Sequence, residues 1–264
     1  MNRQDQLLDG FYRRDTYSPR VQDMYPRDQP SAFAGVDPVA HTQSPIVTGT
    51  SVIALKFQGG VMMAADTLAS YGSLARFRDV ERLHKLTDTA VLGSTGDVSD
   101  YQHVQHMMER LMIREDYHND GHKLAPPHLF EYLRNVMYHR RSKNDPLWNR
   151  FVLAGHHNNT SFLGYVDLQG TTYQSDTIAT GFGAHLAQPL LRKAVESRGG
   201  PQNVTEEDAI KIIEDCMRVL FYRDARSLNK FQRATIATDR LEITEPYSVD
   251  TEWAFAESIR GYGV

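Results

Sequence analysis

Two groups with chemical capability stand at the ends of one short stretch. Thr50 follows a glycine, Gly49, at the head of a run of apolar and β-branched residues, and Asp66 closes a second apolar run as a lone carboxylate. A hydroxyl becomes a nucleophile once a base takes its proton, and a carboxylate can support that chemistry. A second set is His103, His106, His118 and His122, of which the first two share nearly one face of a helical pattern. Imidazoles bind metals, yet no cysteine or carboxylate completes this set, so surface histidines are the plainer reading and no metal or cofactor is expected. A third candidate, the basic run Arg140, Arg141, Ser142 and Lys143, lacks interleaved aromatics. It reads as a solvated or subunit-contacting helix end rather than a nucleic-acid site.

The elements that must position Thr50 and Asp66 are two strands, 50–57 and 61–66, joined by a turn at Gln58, Gly59 and Gly60. Ser70 to Ser73 marks another turn, and a further strand, 90–94, ends at Gly96 and Asp97. Apolar residues at helical spacing predict a helix over 98–114, with Ser94, Thr95 or Asp97 as cap, and a second over 128–142 ending in cations that suit its C-terminus. Strands follow at 151–155, 161–167 and 171–175, then a helix over 183–197 with Leu186, Leu190, Leu191, Ala194 and Val195 inward. The longest amphipathic pattern, 205–221, starts at a Thr205/Asp208 cap and delivers Asp224 and Ser227 to the loop beyond it. Strands at 230–238 and 241–244 and a terminal helix around Trp253, Phe255, Ala256 and Ile259 complete the chain, leaving residues 261–264 as a tail that can lie on another subunit.

With 41% hydrophobic and 23% charged residues, 264 residues suffice for one domain with a full core plus tails. A net charge of −4 gives no global attraction to nucleic acid or acidic membranes, and no apolar run reaches the roughly 20 residues of a membrane span. Cys216, the only cysteine, has no partner for an intrachain disulfide and falls in a helical stripe, which suits a reducing compartment. Residues 1–20 contain no signal-peptide core, so cytoplasm and nucleus are the expected locations. Residues 1–41 are polar, carry prolines at 19, 26, 30 and 38, and hold no sustained period, so they cannot build a core of their own.

The Gly49-Thr50 junction, its apolar run, the hairpin and the sequence Ala64, Ala65, Asp66 resemble the start of a mature proteasome β-subunit, a member of the N-terminal-nucleophile hydrolases. In active members the bond before the threonine is cut and the freed α-amine serves as base, with a lysine beside the nucleophile. Position by position, the resemblance places Thr50 on the nucleophile, Asp66 on the supporting aspartate, and Arg82 where the lysine belongs. An arginine stays protonated and presents a planar fork, which makes it a poor substitute. Residues 222–227 resemble the segment that supplies a supporting aspartate and serine, here Asp224 and Ser227. Phe182 stands where another supporting serine is expected.

Longer stretches, 42–50, 70–77, 138–149 and 217–227, resemble one non-catalytic member found at the seventh β position of the eukaryotic 20S ring. The resemblance implies an α+β fold, a four-layer α-β-β-α sandwich. It implies a propeptide over 1–41, cut between His41 and Thr42 by a neighbouring active subunit, and a domain over 42–264 that retains 42–49 as an extension. The implied partners are adjacent β-subunits, an α-subunit, subunits of the opposite β ring and assembly chaperones. The implied role is structural, in a particle that degrades ubiquitinated proteins. Two other readings stay open: an active threonine endopeptidase using Thr50 after cleavage at Gly49-Thr50, and purely structural roles for Thr50 and Asp66.

Overall fold

The computed structural model describes residues 44–238 and 240–254. The expected propeptide, its cleavage site at His41 and Thr42, the terminal helix beyond Ala254 and the tail from Gly261 lie outside the described residues.

Strand β1 (Val47–Gly49) leads into β2 (Val52–Phe57) and β3 (Gly60–Asp66), then the hairpin β4 (Ala69–Tyr71) and β5 (Leu74–Phe77), β6 (Leu83–Thr87) and β7 (Ala90–Asp97). Helices α1 (Val98–His118) and α2 (Pro126–Ser142) follow, then β8 (Asn149–His157), β9 (Thr160–Val166), β10 (Thr172–Gln174) and β11 (Thr177–Ala179). After α3 (Gly183–Leu186), α4 (Gln188–Glu196) and α5 (Glu206–Arg223) come β12 (Phe231–Ala237) and β13 (Arg240–Ile243).

The strands form two antiparallel sheets. One runs in the order β10-β9-β8-β7-β1-β4-β5, with β6 also paired to β7; the other runs β11-β2-β3-β12-β13. Successive strand residues point to opposite faces, so a strand between two apolar layers must be apolar at every position. In β2, Val52 and Ala54 pack between the sheets, while Ile53, Leu55 and Phe57 meet the helical layer of α4 and α5. In β8, Val152 and Ala154 face the other sheet, and Phe151 and Leu153 pack with Tyr101, Val104 and Met108 of α1 and Leu129, Leu133 and Met137 of α2. Two helical layers thus enclose two sheets, the four-layer order expected, and each buried large side chain stabilises it by about 1.5–3 kcal/mol.

The helix starts follow from local chemistry. Asp97 caps α1, its carboxylate accepting from the amides of Ser99 and Asp100. Thr205 caps α5, accepting from the Asp208 amide at 3.2 Å. Several expectations need correction. The strand expected over 50–57 begins at Val52, because the chain crosses between the sheets at Thr50 and Ser51 after the additional strand β1. The turn around Gly72 (φ +58°) joins two short strands that alternation had not revealed. The helix expected over 183–197 is two pieces meeting at Ala187, and Leu190, expected inward, is 40% exposed.

Candidate functional site

Thr50 sits where the chain leaves one sheet for the other. Upstream, Thr48 and Gly49 pair with Ser70 and Ala69 of β4 on one side and with Asp97 and Gly96 of β7 on the other. The segment before the candidate nucleophile is therefore an interior strand. Downstream, Ser51 is buried and its hydroxyl accepts from the Gly183 amide at 2.8 Å. Behind this crossing the two sheets are tied by side chains. The Thr95 and Thr180 hydroxyls share a hydrogen bond, and Thr180 Oγ1 also accepts from the Val52 amide at 2.9 Å.

The Thr50 hydroxyl donates to Asp224 Oδ2 at 2.5 Å. Asp224 ends α5 and is 4% exposed, with its other oxygen accepting from the Arg226 amide at 2.9 Å. Asp66, at the end of β3, is 2% exposed and accepts from the Leu228 amide at 2.9 Å and from Arg82. Burial pushes the Asp66 carboxyl above its ordinary pKa, against the downward pull of the Arg82 charge and the Leu228 amide.

Arg82 explains the geometry. It precedes β6 and is itself 2% exposed. Its Nε donates to the Asp66 carbonyl at 2.9 Å, and Nη1 donates to the carbonyls of Thr50 at 2.8 Å and Ser94 at 3.0 Å. Its Nη2 donates to the Ser51 carbonyl at 2.9 Å and to the Asp66 carboxylate. Five N–H groups meet five acceptors, so the fork is saturated and none of it addresses the Thr50 hydroxyl. A Cβ added at Gly49 would stand 2.4 Å from Arg82 Cδ, so this glycine makes room for the arginine against the strand.

Of the six site residues read from the sequence, Thr50, Asp66, Arg82 and Asp224 come together. Ser227 does not reach the threonine. Its hydroxyl donates to the carbonyls of Asp224 at 2.8 Å and Leu220 at 3.2 Å, closing the turn after α5. Phe182 is 58% exposed at the start of α3 and lines a cleft over Thr50. The histidines show no common centre: His106 bonds the Gln102 carbonyl, His122 pairs with Glu115, and among the described residues no group of three metal-binding side chains converges.

Sequence reading missed Asp97 as a site residue: besides capping α1, it accepts from the Ile46 amide at 3.0 Å and so holds the upstream segment. It also missed Arg150, Tyr165, Tyr173, His185 and Arg226, which with Phe182 surround a cleft of about 560 Å³ above Thr50. Only folding brings together residues so far apart in the chain.

An α-β-β-α sandwich with a threonine at the crossing between its sheets is the architecture in which a known family does its work. A family model described as proteasome subunit matches residues 46–236, and this chain belongs to that family. Its relatives include a proteasome subunit beta type-4 of Xenopus laevis, 47% identical over 87% of this chain and 94% of the relative. A probable proteasome subunit beta type-7 of Schizosaccharomyces pombe is 52% identical over 86% of this chain and 87% of the relative. A proteasome subunit beta type-7 of Saccharomyces cerevisiae is 48% identical over 88% and 90%, respectively.

Proposed function

We propose that the chain is a non-catalytic structural β-subunit of the 20S core, at the seventh position of the inner ring. As a proteasome subunit it assembles with other subunits of that particle; adjacent β-subunits, an α-subunit, the opposite β ring and assembly chaperones are its proposed contacts, in cytoplasm and nucleus. Residues 1–41 are a propeptide removed at the His41-Thr42 bond, and 42–49 stay attached. Thr50, Asp66, Arg82, Phe182, Asp224 and Ser227 are the remnant of a hydrolytic site.

The observation that carries this reading is the interior position of β1, paired on both edges and held at its end by Arg82. With the strand retained, Thr50 keeps a peptide nitrogen. An amide has no basic lone pair to take the hydroxyl proton, and a saturated guanidinium cannot take it either. The short Thr50–Asp224 contact favours the second reading, an active threonine endopeptidase, since a carboxylate at 2.5 Å can accept that proton.

N-terminal sequencing of this subunit from purified particles separates the two. A start at Thr42 supports the structural reading, and a start at Thr50 overturns it. A covalent threonine-directed inhibitor is expected to leave Thr50 unlabelled. Thr50→Ala particles should assemble and keep every peptidase activity at the wild-type rate; loss of one activity in assembled particles would contradict the reading.

A further inference from the structure

The cleft above Thr50 carries more positive than negative charge. Arg150 and Arg226 line it, and Asp224 is the only carboxylate among its lining residues. That carboxylate is already engaged by the Thr50 hydroxyl and the Arg226 amide. No carboxylate among the described residues pairs with the guanidinium of Arg150 or Arg226, whereas Arg192, Arg218 and Arg240 each have one. The remaining wall is aromatic. Tyr165 and Tyr173 stack with ring centroids 4.7 Å apart, and Phe182 stands exposed nearby. Burial pushes both phenols above their ordinary pKa, and the Tyr165 side chain hydrogen-bonds Arg150. About 560 Å³ falls in the range of small-ligand sites and accommodates a few amino-acid residues.

From the guanidiniums of Arg150 and Arg226, which no carboxylate among the described residues neutralises, beside an aromatic wall, we infer that this cleft binds the carboxylate of a short acidic peptide and does not cleave it. The guanidinium forks give charge-assisted bonds to a carboxylate, and the tyrosine stack and Phe182 receive the apolar part of the neighbouring residue. The retention half of the inference rests on the non-catalytic reading; the binding half does not. Saturation of Arg82 by its five acceptors leaves that guanidinium no free donor for a ligand, so the recognition charge is that of Arg150 and Arg226.

The test uses assembled particles whose reactive threonines have been capped by a covalent threonine-directed inhibitor. A fluorescein-labelled Ala-Glu-Glu-Ala amide is titrated against particles carrying the wild-type chain or the Arg150→Gln/Arg226→Gln chain, followed by fluorescence anisotropy. Saturable binding, about tenfold weaker in the variant and weakened by added salt, is expected. The corresponding Gln-Gln peptide amide should bind about tenfold more weakly to wild-type particles; if a free C-terminus restores its binding, the cleft reads a chain-end carboxylate as well as a side-chain one. Equal affinity of wild-type and variant particles, or of the Glu and Gln amides, overturns the inference. If the variant fails to assemble, the Glu-against-Gln comparison on wild-type particles still decides. An inhibitor adduct on Thr50 in the same sample, found by peptide mass mapping, marks failure of the non-catalytic reading independently of the anisotropy result.

Discussion

At the scale of single residues, Arg82 combines two tasks that one lysine cannot perform together. It neutralises a buried carboxylate, and it gathers carbonyls from three separate segments, at Thr50 and Ser51, at Asp66 and at Ser94. A lysine has three donors on one nitrogen and cannot span that set. Arg82→Lys should therefore destabilise the full-length chain by about 2–4 kcal/mol, seen as a lower urea midpoint at unchanged m-value, without creating peptidase activity. Gly49→Ala tests the same contact from the other side. Its Cβ would stand 2.4 Å from Arg82 Cδ, and relieving that overlap is expected to cost about 1–3 kcal/mol in the same measurement. The residue type at 82 was legible from the sequence as a departure from an active-site lysine. Its role as a clamp was not, because all of its acceptors but the Asp66 carboxylate are main-chain carbonyls that any sequence supplies.

At the scale of elements, the decisive piece is β1, a three-residue strand too short to carry an alternation pattern. It is fastened at its entrance by Asp97, which also begins α1. Burial pushes the Asp97 carboxyl up, but hydrogen bonds from Ser99, Ile46 and Asp100 outweigh it, and its pKa lies below the ordinary value. A carboxyl of this kind adds stability that is complete above its unfolded pKa of about 3.9 and disappears as pH falls through the lower folded value. Hydrogen-exchange protection of the Ile46 amide and of the first turn of α1 should therefore hold at neutral pH and fall away below about pH 4. Asp97→Ala should lower protection at neutral pH by an amount equivalent to about 1–2 kcal/mol and remove the acid dependence. The sequence already suggested Asp97 as one of three possible caps. Its second bond, across 51 residues to Ile46, had no local signature.

At the scale of the whole molecule, the two sheets meet through side chains drawn from both, and the site lies where the chain crosses between them. A crossing of this kind makes the fate of the upstream strand a property of the sheet and not of Thr50 alone. Sequencing the mature N-terminus is thus a test of the fold's integration as well as of chemistry. The starting residue is expected at Thr42, eight residues before Thr50. The acidic-peptide titration belongs to this scale too, since its two arginines, on β8 and after α5, share a cleft only in the assembled sandwich.

The amino-acid order alone determined the long helices, most of the buried strands, the family resemblance and the positions of Thr50, Asp66, Arg82 and Asp224, because repeat spacing and short motifs are local properties. The tertiary structure decided that 47–49 is an interior strand, that Ser227 closes a turn rather than serving the threonine, that Arg82 is fully occupied, and which cations gather over the cleft. Those outcomes depend on backbone carbonyls and on contacts between distant segments, and neither is encoded by residue type at a single position.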